Sequence, residues 1–336
     1  MVSFLLLSLL SGVIELGSVF LGIRLGASVA EIILLPFWYQ MGNFLMNYLP
    51  RNKTFYFILF VTFASETISN SFSWSYIVFT SQLVIASYCI QAAREKNKKS
   101  CPTWLKRAFR IGGFAISPIL VLYNGQPILI ASTLFSVMFL LRGAATVETT
   151  SNKKKYFGIS LVMVFHQIHY FVYTYIMPIY LYQRTGSFII VAISFVFTWI
   201  VYLFPQTIVE KYDIMKYKTV FFVGHSFLAT CLGLMTWMAN ARFTKGVLFC
   251  WLLTGFGGGT VFCIKHLSSR YEQINMDLSE NIGHVMGPAL AILICFYAPE
   301  IETTALSLAA CTSVIATLLI AIIVVAKEKI KFETNK

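Results

Sequence analysis

Ionisable side chains are rare inside the long apolar stretches of this chain, so the few that occur there are the first candidates for chemistry. Glu15 lies near the middle of the first stretch, and His166 and His169 lie near the middle of the seventh. Burying such groups in an apolar medium is costly, and they are typically kept where an ion, a proton or a substrate is bound. Imidazoles titrate near neutral pH, and a carboxylate holds a cation or a proton. We therefore predict a binding or proton-transfer role for all three, with hydrogen bonding between helices as the alternative.

Two tyrosines extend this pattern along the seventh stretch. His166, Tyr170 and Tyr173 follow one another at the i, i+4, i+7 spacing that places side chains on one face of an α-helix. Aromatic rings offer flat surfaces for stacking, and the hydroxyl groups of tyrosine form hydrogen bonds. The spacing predicts that Tyr170 and Tyr173 share one helix face with His166, where they could contact a substrate or pack against other aromatic side chains.

Motifs of catalytic and metal sites are missing from the sequence. It contains no HExxH, GxSxG or Walker-loop pattern. The seven cysteines are scattered, without a CxxC pair or a histidine at ligand spacing, and are typical of small packing residues. We therefore predict that the protein is not an enzyme and that it has no metal site and no cofactor.

The composition indicates which elements position these residues. The chain is 57% hydrophobic and only 12% charged, which is too apolar for a water-soluble protein of 336 residues. Apolar segments of about 20 residues recur along it, the length that an α-helix needs to cross a bilayer. We predict an all-α integral membrane protein with twelve transmembrane helices, near residues 1–23, 29–48, 54–72, 74–93, 107–123, 126–145, 156–182, 187–208, 217–239, 246–266, 280–298 and 303–326.

The formal net charge of +12 is a topology signal. If both termini are cytoplasmic, 22 of the 26 lysines and arginines lie in inner loops, segment ends or the tail. Positive residues are enriched on the cytoplasmic side of membranes, so the bias predicts this orientation in the cytoplasmic membrane. Attraction to anionic lipid headgroups is compatible with it, whereas a nucleic-acid partner is not expected. The high Lys, Asn, Ile and Phe content is typical of an AT-rich bacterial genome.

The second six segments repeat landmarks of the first six. The stretch from Gly113 to Pro118 (GFAISP) matches the stretch from Gly283 to Pro288 (GHVMGP): in each, a glycine is followed by a small residue and a proline inside an apolar segment. Small residues let helices approach closely, and proline permits local bending. We predict two pseudo-symmetric six-helix bundles around a central cavity, with boundaries at 1–145, a cytoplasmic linker 146–156, 157–326 and a cytoplasmic tail 327–336.

These features resemble the major facilitator superfamily of secondary transporters. Leu25 to Ile32 resembles the outer turn between the first two helices of that family, and Asn43 to Lys53 stands where its inner-loop signature G-x-x-x-D-R-x-G-R-[RK] lies. Asn47 replaces the acid of that signature, and Gln206 to Asp213 is the second-half copy. The glycine–proline stretches are similar to the motif of the family's fifth and eleventh helices.

The resemblance implies alternating access, in which two bundles rock around a site near the membrane midplane. It implies that the first and seventh helices line the cavity, where Glu15, His166, His169, Tyr170 and Tyr173 would bind substrate or proton. The residues to which the resemblance assigns conformational gating are Arg51, Lys53, Glu210, Lys211, Gly113, Pro118, Gly283, Gly287 and Pro288.

The expected function is therefore export of a small organic solute by a monomeric secondary transporter, driven by a proton or ion gradient. Glu15 is the expected coupling or cation-binding group, and the partners are a small-molecule substrate, the coupling ion and membrane lipids. Two alternatives remain open: movement of a lipid or amphiphile between leaflets, and a non-transporting relative that serves as a membrane receptor or assembly partner.

Overall fold

The computed structural model describes residues 2–46, 48–50, 52–72, 76–96, 103–119, 157–212, 216–270 and 276–334, and the single positions 133, 136, 137 and 140. The described residues form α-helices joined by short turns. The predicted sixth segment lies almost entirely outside them, as do the predicted linker 146–156 and Arg51. The helices are α1 (Val2–Arg24), α2 (Val29–Leu45), α3 (Lys53–Phe72), α4 (Tyr76–Lys96), α5 (Thr103–Ile116), α6 (Phe157–Thr174), α7 (Ile176–Thr185), α8 (Phe188–Lys211), α9 (Tyr217–Asn240), α10 (Thr244–Gly259), α11 (Phe262–Arg270), α12 (Met276–Tyr297) and α13 (Ile301–Thr334).

The chain is a multi-pass membrane protein. Among the described residues, seven stretches are long and apolar enough to cross a bilayer: Phe4–Arg24, Tyr76–Arg94, Phe188–Lys211, Tyr217–Asn240, Thr244–Leu267, Ser279–Tyr297 and Ile301–Ile322. The all-α membrane class predicted from composition is therefore confirmed. The last helix continues to Thr334, past the predicted end of the final segment at 326.

Two predicted segments are broken into two helices each. The seventh divides at Tyr175 into α6 and α7, because Pro178 has no N–H to bond the carbonyl of Thr174. The tenth divides after Gly259 into α10 and α11. A run of three glycines weakens the helix there, and i→i−3 hydrogen bonds such as Thr260 N to Gly257 O, 3.1 Å, replace the regular ladder.

The chain divides into two compact units. The first contains Met1–Thr150 and Ser187–Val196, and the second contains Ser151–Gly186 and Phe197–Lys336. In the first unit, α1 packs on α2 and α5, and α2 packs on α4. In the second, α6 packs on α12 and α13, and α9 packs on α10 and α13.

Each glycine–proline stretch packs on the first helix of its own unit. A Cβ at Gly113 of α5 would collide with the backbone of α1 at Leu9, and a Cβ at Gly12 of α1 would collide with the carbonyl of Arg110. In the second unit, a Cβ at Gly283 of α12 would collide with Gln167 of α6. The repeat seen in the sequence thus corresponds to one close helix crossing built twice.

The prolines of the two stretches differ in their setting. Pro118 follows the end of α5, whereas Pro288 lies inside α12. Gly287 packs on Phe171 of α6, and both Gly287 and Pro288 are buried. The gating role predicted for these residues stays a prediction.

Replacing Gly113 by alanine is expected to destabilise the protein by about 1–3 kcal/mol, the usual cost of overpacking a close contact. The new methyl group would meet the α1 backbone, which cannot move as a side chain can. The matched control is Gly112→Ala, because a Cβ at this neighbouring position meets nothing within 4 Å. Thermal unfolding in detergent should show a lower transition temperature for Gly113→Ala only; equal transitions would contradict the close crossing.

Candidate functional site

Three histidines meet inside the second unit. His166 and His169 come from α6, and His225 comes from α9. The ring centroids lie 4.8 Å apart for His166 and His169, 5.0 Å for His166 and His225, and 5.5 Å for His169 and His225. All three side chains are at most 1% exposed, and one nitrogen of each lies within 4.8 Å of the other two. We call these residues the histidine triad.

A hydrogen-bond chain runs through the triad. His166 Nδ1 lies 2.8 Å from His225 Nε2, and His225 Nδ1 lies 3.0 Å from the hydroxyl of Thr260. His169 Nδ1 donates to the carbonyl of Phe165 at 3.1 Å. The other nitrogen of His169, Nε2, is buried and has no hydrogen-bond partner among the residues that the structure describes. The triad therefore presents an unsatisfied lone pair in a setting that excludes water.

His225 is held on several sides. Phe221, one turn earlier on α9, stacks on its ring with centroids 3.7 Å apart. Ser313 of α13 donates to its carbonyl at 3.2 Å. Thr260, at the break between α10 and α11, contacts it from a third direction. These contacts fix the ring, so its nitrogens point in defined directions.

Imidazole nitrogens that converge in this way suit one chemical class of ligand. Neutral histidine binds zinc, copper, iron and nickel ions, whereas magnesium and calcium prefer carboxylate and carbonyl oxygens. The three members of the triad are all histidines, so the arrangement favours a transition-metal cation.

An aromatic cleft lies beside the triad in the same unit. It encloses about 220 Å³ of empty space, including the part open to solvent, between α6, α8 and α10. Tyr170, which is half-buried, and Tyr173, which is buried, both line it, and their predicted role in substrate binding stays a prediction. The other lining residues are Thr198, Trp199, Tyr202, Thr254, Gly255 and Gly258.

Glu15 lies in the first unit, paired with an arginine. Its carboxylate accepts from Arg110 of α5 at 2.5 Å, and the two side chains are 3% and 26% exposed. The charge count had placed Arg110 among the cytoplasmic residues, but its long side chain reaches the buried acid at the α1–α5 crossing. The interhelical pairing considered for Glu15 is thus present in the structure.

The second unit has a related polar network at the crossing of α6 and α12. Lys265 pairs with Glu280 at 2.5 Å, and Gln167 Nε2 donates to Glu280 at 3.4 Å. His284 Nε2 donates a hydrogen bond to Gln167 Oε1 at 3.1 Å. Arg110 and Glu280 each stand three residues before the glycine of their repeat, so equivalent positions carry opposite charges.

The residues predicted to gate the inner face lie on exposed helix ends. Lys53 begins α3, and Glu210 and Lys211 end α8. Glu210 accepts from Gln206 at 2.7 Å, and the ammonium group of Lys211 lies 5.5 Å from the centroid of the Tyr212 ring. Their gating role remains a prediction.

Two members of the site were missed by sequence reasoning. His225 and Thr260 are not among the site residues predicted from the sequence. His225 is 59 positions from His166, and no local spacing joins them. The only signal in the sequence was the run of glycines before Thr260, which marks a weak point in an apolar helix.

The fold implied by the resemblance to the major facilitator superfamily is confirmed by solved structures. The similar solved structures include two crystal structures of a bacterial homologue of the iron transporter ferroportin in an outward-facing state. The first has a TM-score of 0.62 at 13% identity, and covers 95% of this chain and 98% of its own. The second, soaked with iron, has a TM-score of 0.59 at 12% identity, with the same coverage of 95% and 98%. No protein-family model and no curated protein matches the sequence.

The pair of Glu15 and Arg110 is expected to stabilise the first unit. Removing one partner of a fully buried pair costs about 3–5 kcal/mol, but the partial exposure of Arg110 lowers the expected cost of Glu15→Gln to about 2 kcal/mol. A double-mutant cycle with Arg110→Gln, read by thermal unfolding, should give a combined loss well below the sum of the two. Arg24→Gln, at an exposed site on α1, is the control. Simple additivity would contradict a direct interaction.

Proposed function

We propose that this protein is a secondary transporter of a divalent transition-metal cation, which the histidine triad binds during transport. The observation that carries the proposal is the convergence of three buried imidazoles, one of which has an unpartnered nitrogen among the described residues. An unpaired buried polar atom is costly, and a bound cation would satisfy it.

The comparisons support a metal ion as substrate. The similar structures belong to a homologue of an iron transporter, and one of them was soaked with iron. At 12–13% identity this likeness concerns the fold, so the substrate class rests on the ligand chemistry of the triad.

The broken helices support a transport role for the triad. Irregular backbone inside a membrane is tolerated where it is buried in protein or lines a cavity, and discontinuous helices mark the binding sites of many transporters. Thr260, the third contact of His225, stands at the break between α10 and α11. The α6–α7 break at Tyr175 follows the helix that carries His166 and His169. Local changes at these breaks would open and close the triad during alternating access.

Purified protein in liposomes is expected to carry Co²⁺ into vesicles that contain a metal-sensitive fluorophore, and His225→Ala and His169→Ala should abolish this flux. Each variant removes one ligand of the triad. His266→Asn is the control, because His266 stacks on Tyr217 at 4.0 Å and lies outside the triad. Detergent-solubilised variants must first show the wild-type elution profile. Normal Co²⁺ flux in a folded His225→Ala variant would contradict the proposal.

A small organic solute is the second candidate substrate, and the aromatic cleft favours it. The cleft combines ring faces with the hydroxyl groups of tyrosine and threonine, which suits a flat polar molecule. The same liposomes separate the two candidates. A solute held in the cleft would be transported without Co²⁺, and its flux would survive His225→Ala.

Export and proton coupling also belong to the proposal, with Glu15 as the coupling group. Protonation of Glu15 would remove the charge that holds Arg110 at the α1–α5 crossing. Metal flux should therefore be accompanied by proton flux in the opposite direction, and Glu15→Gln should uncouple the two. A pH-sensitive dye in the same vesicles reports this. Proton flux unchanged in Glu15→Gln would remove Glu15 from the coupling role and leave metal transport intact.

A further inference from the structure

We infer that Thr260 is a positioning residue that fixes the tautomer of His225, so that His225 Nε2 presents a lone pair to the metal-binding site. The consequence of this inference for metal affinity rests on the proposed function. The tautomer itself can be observed without any metal. A histidine nitrogen that carries a proton cannot ligate, so the tautomer decides whether the triad is complete.

The Thr260 hydroxyl determines which atoms donate and which accept in the hydrogen-bond chain of the triad. This group has one hydrogen, and it donates that hydrogen to the carbonyl of Gly257 at 2.6 Å. The oxygen therefore faces His225 with lone pairs only. Since His225 Nδ1 lies 3.0 Å away, it must be the donor, and His225 is the Nδ1–H tautomer.

The assignment extends from His225 to the other two histidines. Because His225 Nδ1 carries the proton, its Nε2 is an acceptor, and His166 Nδ1 donates to it at 2.8 Å. His169 donates through Nδ1 to the carbonyl of Phe165, which leaves its Nε2 as a lone pair. His169 Nε2, which has no partner among the described residues, can thus bind a cation. The lone pair of His225 Nε2 becomes free when the His166 proton that it accepts moves from Nδ1 to Nε2 of His166. The His166 ring then stays neutral and offers Nδ1 as the third ligand, and no proton is released.

The fold places Thr260 at this point with little freedom. Thr260 lies at the interruption between α10 and α11, where Val261 N bonds Gly258 O at 3.1 Å in place of a regular α-helical bond. Its side chain lies against Gly224 of α9, and a Cβ added there would come within 2.6 Å of Thr260 Oγ1. Only glycine at 224 lets the hydroxyl approach His225, one residue further along α9.

Without the hydroxyl, His225 loses the side-chain acceptor of its Nδ1 proton, and the backbone of Phe221, one turn earlier on α9, is its remaining partner on that side. His225 could then carry its proton on Nε2, directed at His166, and the triad would present a proton where a ligand is needed. A partner that orients a ligating histidine is typically worth about 10–100-fold in metal affinity.

The test compares Thr260→Val, which keeps the shape and removes the hydroxyl, with Thr260→Ser, which restores it. Thr236→Val is the matched control, because Thr236 lies on the same helix as His225, eleven residues further along, is half-buried and donates to a carbonyl four residues earlier at 3.0 Å. Two quantities are measured on the full-length protein in detergent. The first is the tautomer of His225 in metal-free protein by ¹⁵N NMR of ¹⁵N-histidine, assigned with His225→Gln. The second is the Co²⁺ dissociation constant.

We expect Nδ1–H in the wild type, Thr260→Ser and Thr236→Val, and loss of that single tautomer in Thr260→Val. The Co²⁺ dissociation constant should rise about 10–100-fold in Thr260→Val and recover in Thr260→Ser. An unchanged His225 signal in Thr260→Val would overturn the inference, whether or not the protein binds metal. If the tautomer changes as expected but the wild type binds no Co²⁺, the inference on Thr260 stands and the proposed substrate is wrong.

Discussion

The structure depends on one constraint: a polar group inside a bilayer must find its partner within the protein, because no water is available to replace it. Glu15 satisfies this constraint through Arg110. Glu280, at the start of its apolar stretch, pairs with the exposed Lys265 and with Gln167. Each of these partners lies on another helix. These polar pairs therefore hold helices together at defined positions, and the apolar side chains pack around them.

The histidine triad meets the same constraint only in part. Two of its rings share a proton, and the third keeps one nitrogen without a partner among the described residues. At a solvent-exposed position, water would bond this nitrogen at little cost. Because His169 is 0% exposed, the missing hydrogen bond lowers the stability of the folded protein. A bound cation would stabilise such a site, and this is the physical link between the buried triad and the proposed transport of a metal ion.

Sequence reasoning predicted the parts of this structure that depend on local pattern. Hydropathy located α1 to within a residue, and Tyr170 and Tyr173, which share a helix face by spacing, both line the aromatic cleft. The GFAISP and GHVMGP stretches each contain a glycine that packs closely on another helix. What spacing could not predict was any contact between distant helices. The approach of His225 to His166 depends on how α9 packs on its neighbours, and the reach of Arg110 to Glu15 depends on how closely glycines let α1 and α5 cross. The breaks at Tyr175 and Thr260 were marked by Pro178 and by the glycine run, but such residues are also common in continuous transmembrane helices.

The contact of Gly224 with Thr260 has a consequence for how this site can change over time. The two residues share one small volume, since the missing side chain of the first makes room for the hydroxyl of the second. Neither position is therefore free to vary alone. A larger residue at 224 requires a smaller one at 260. Serine there would remove the methyl group that lies closest to position 224 and keep the hydroxyl, whereas alanine would also remove the group that orients His225. The histidine site therefore links the side chain allowed at 224 to the side chain allowed at 260.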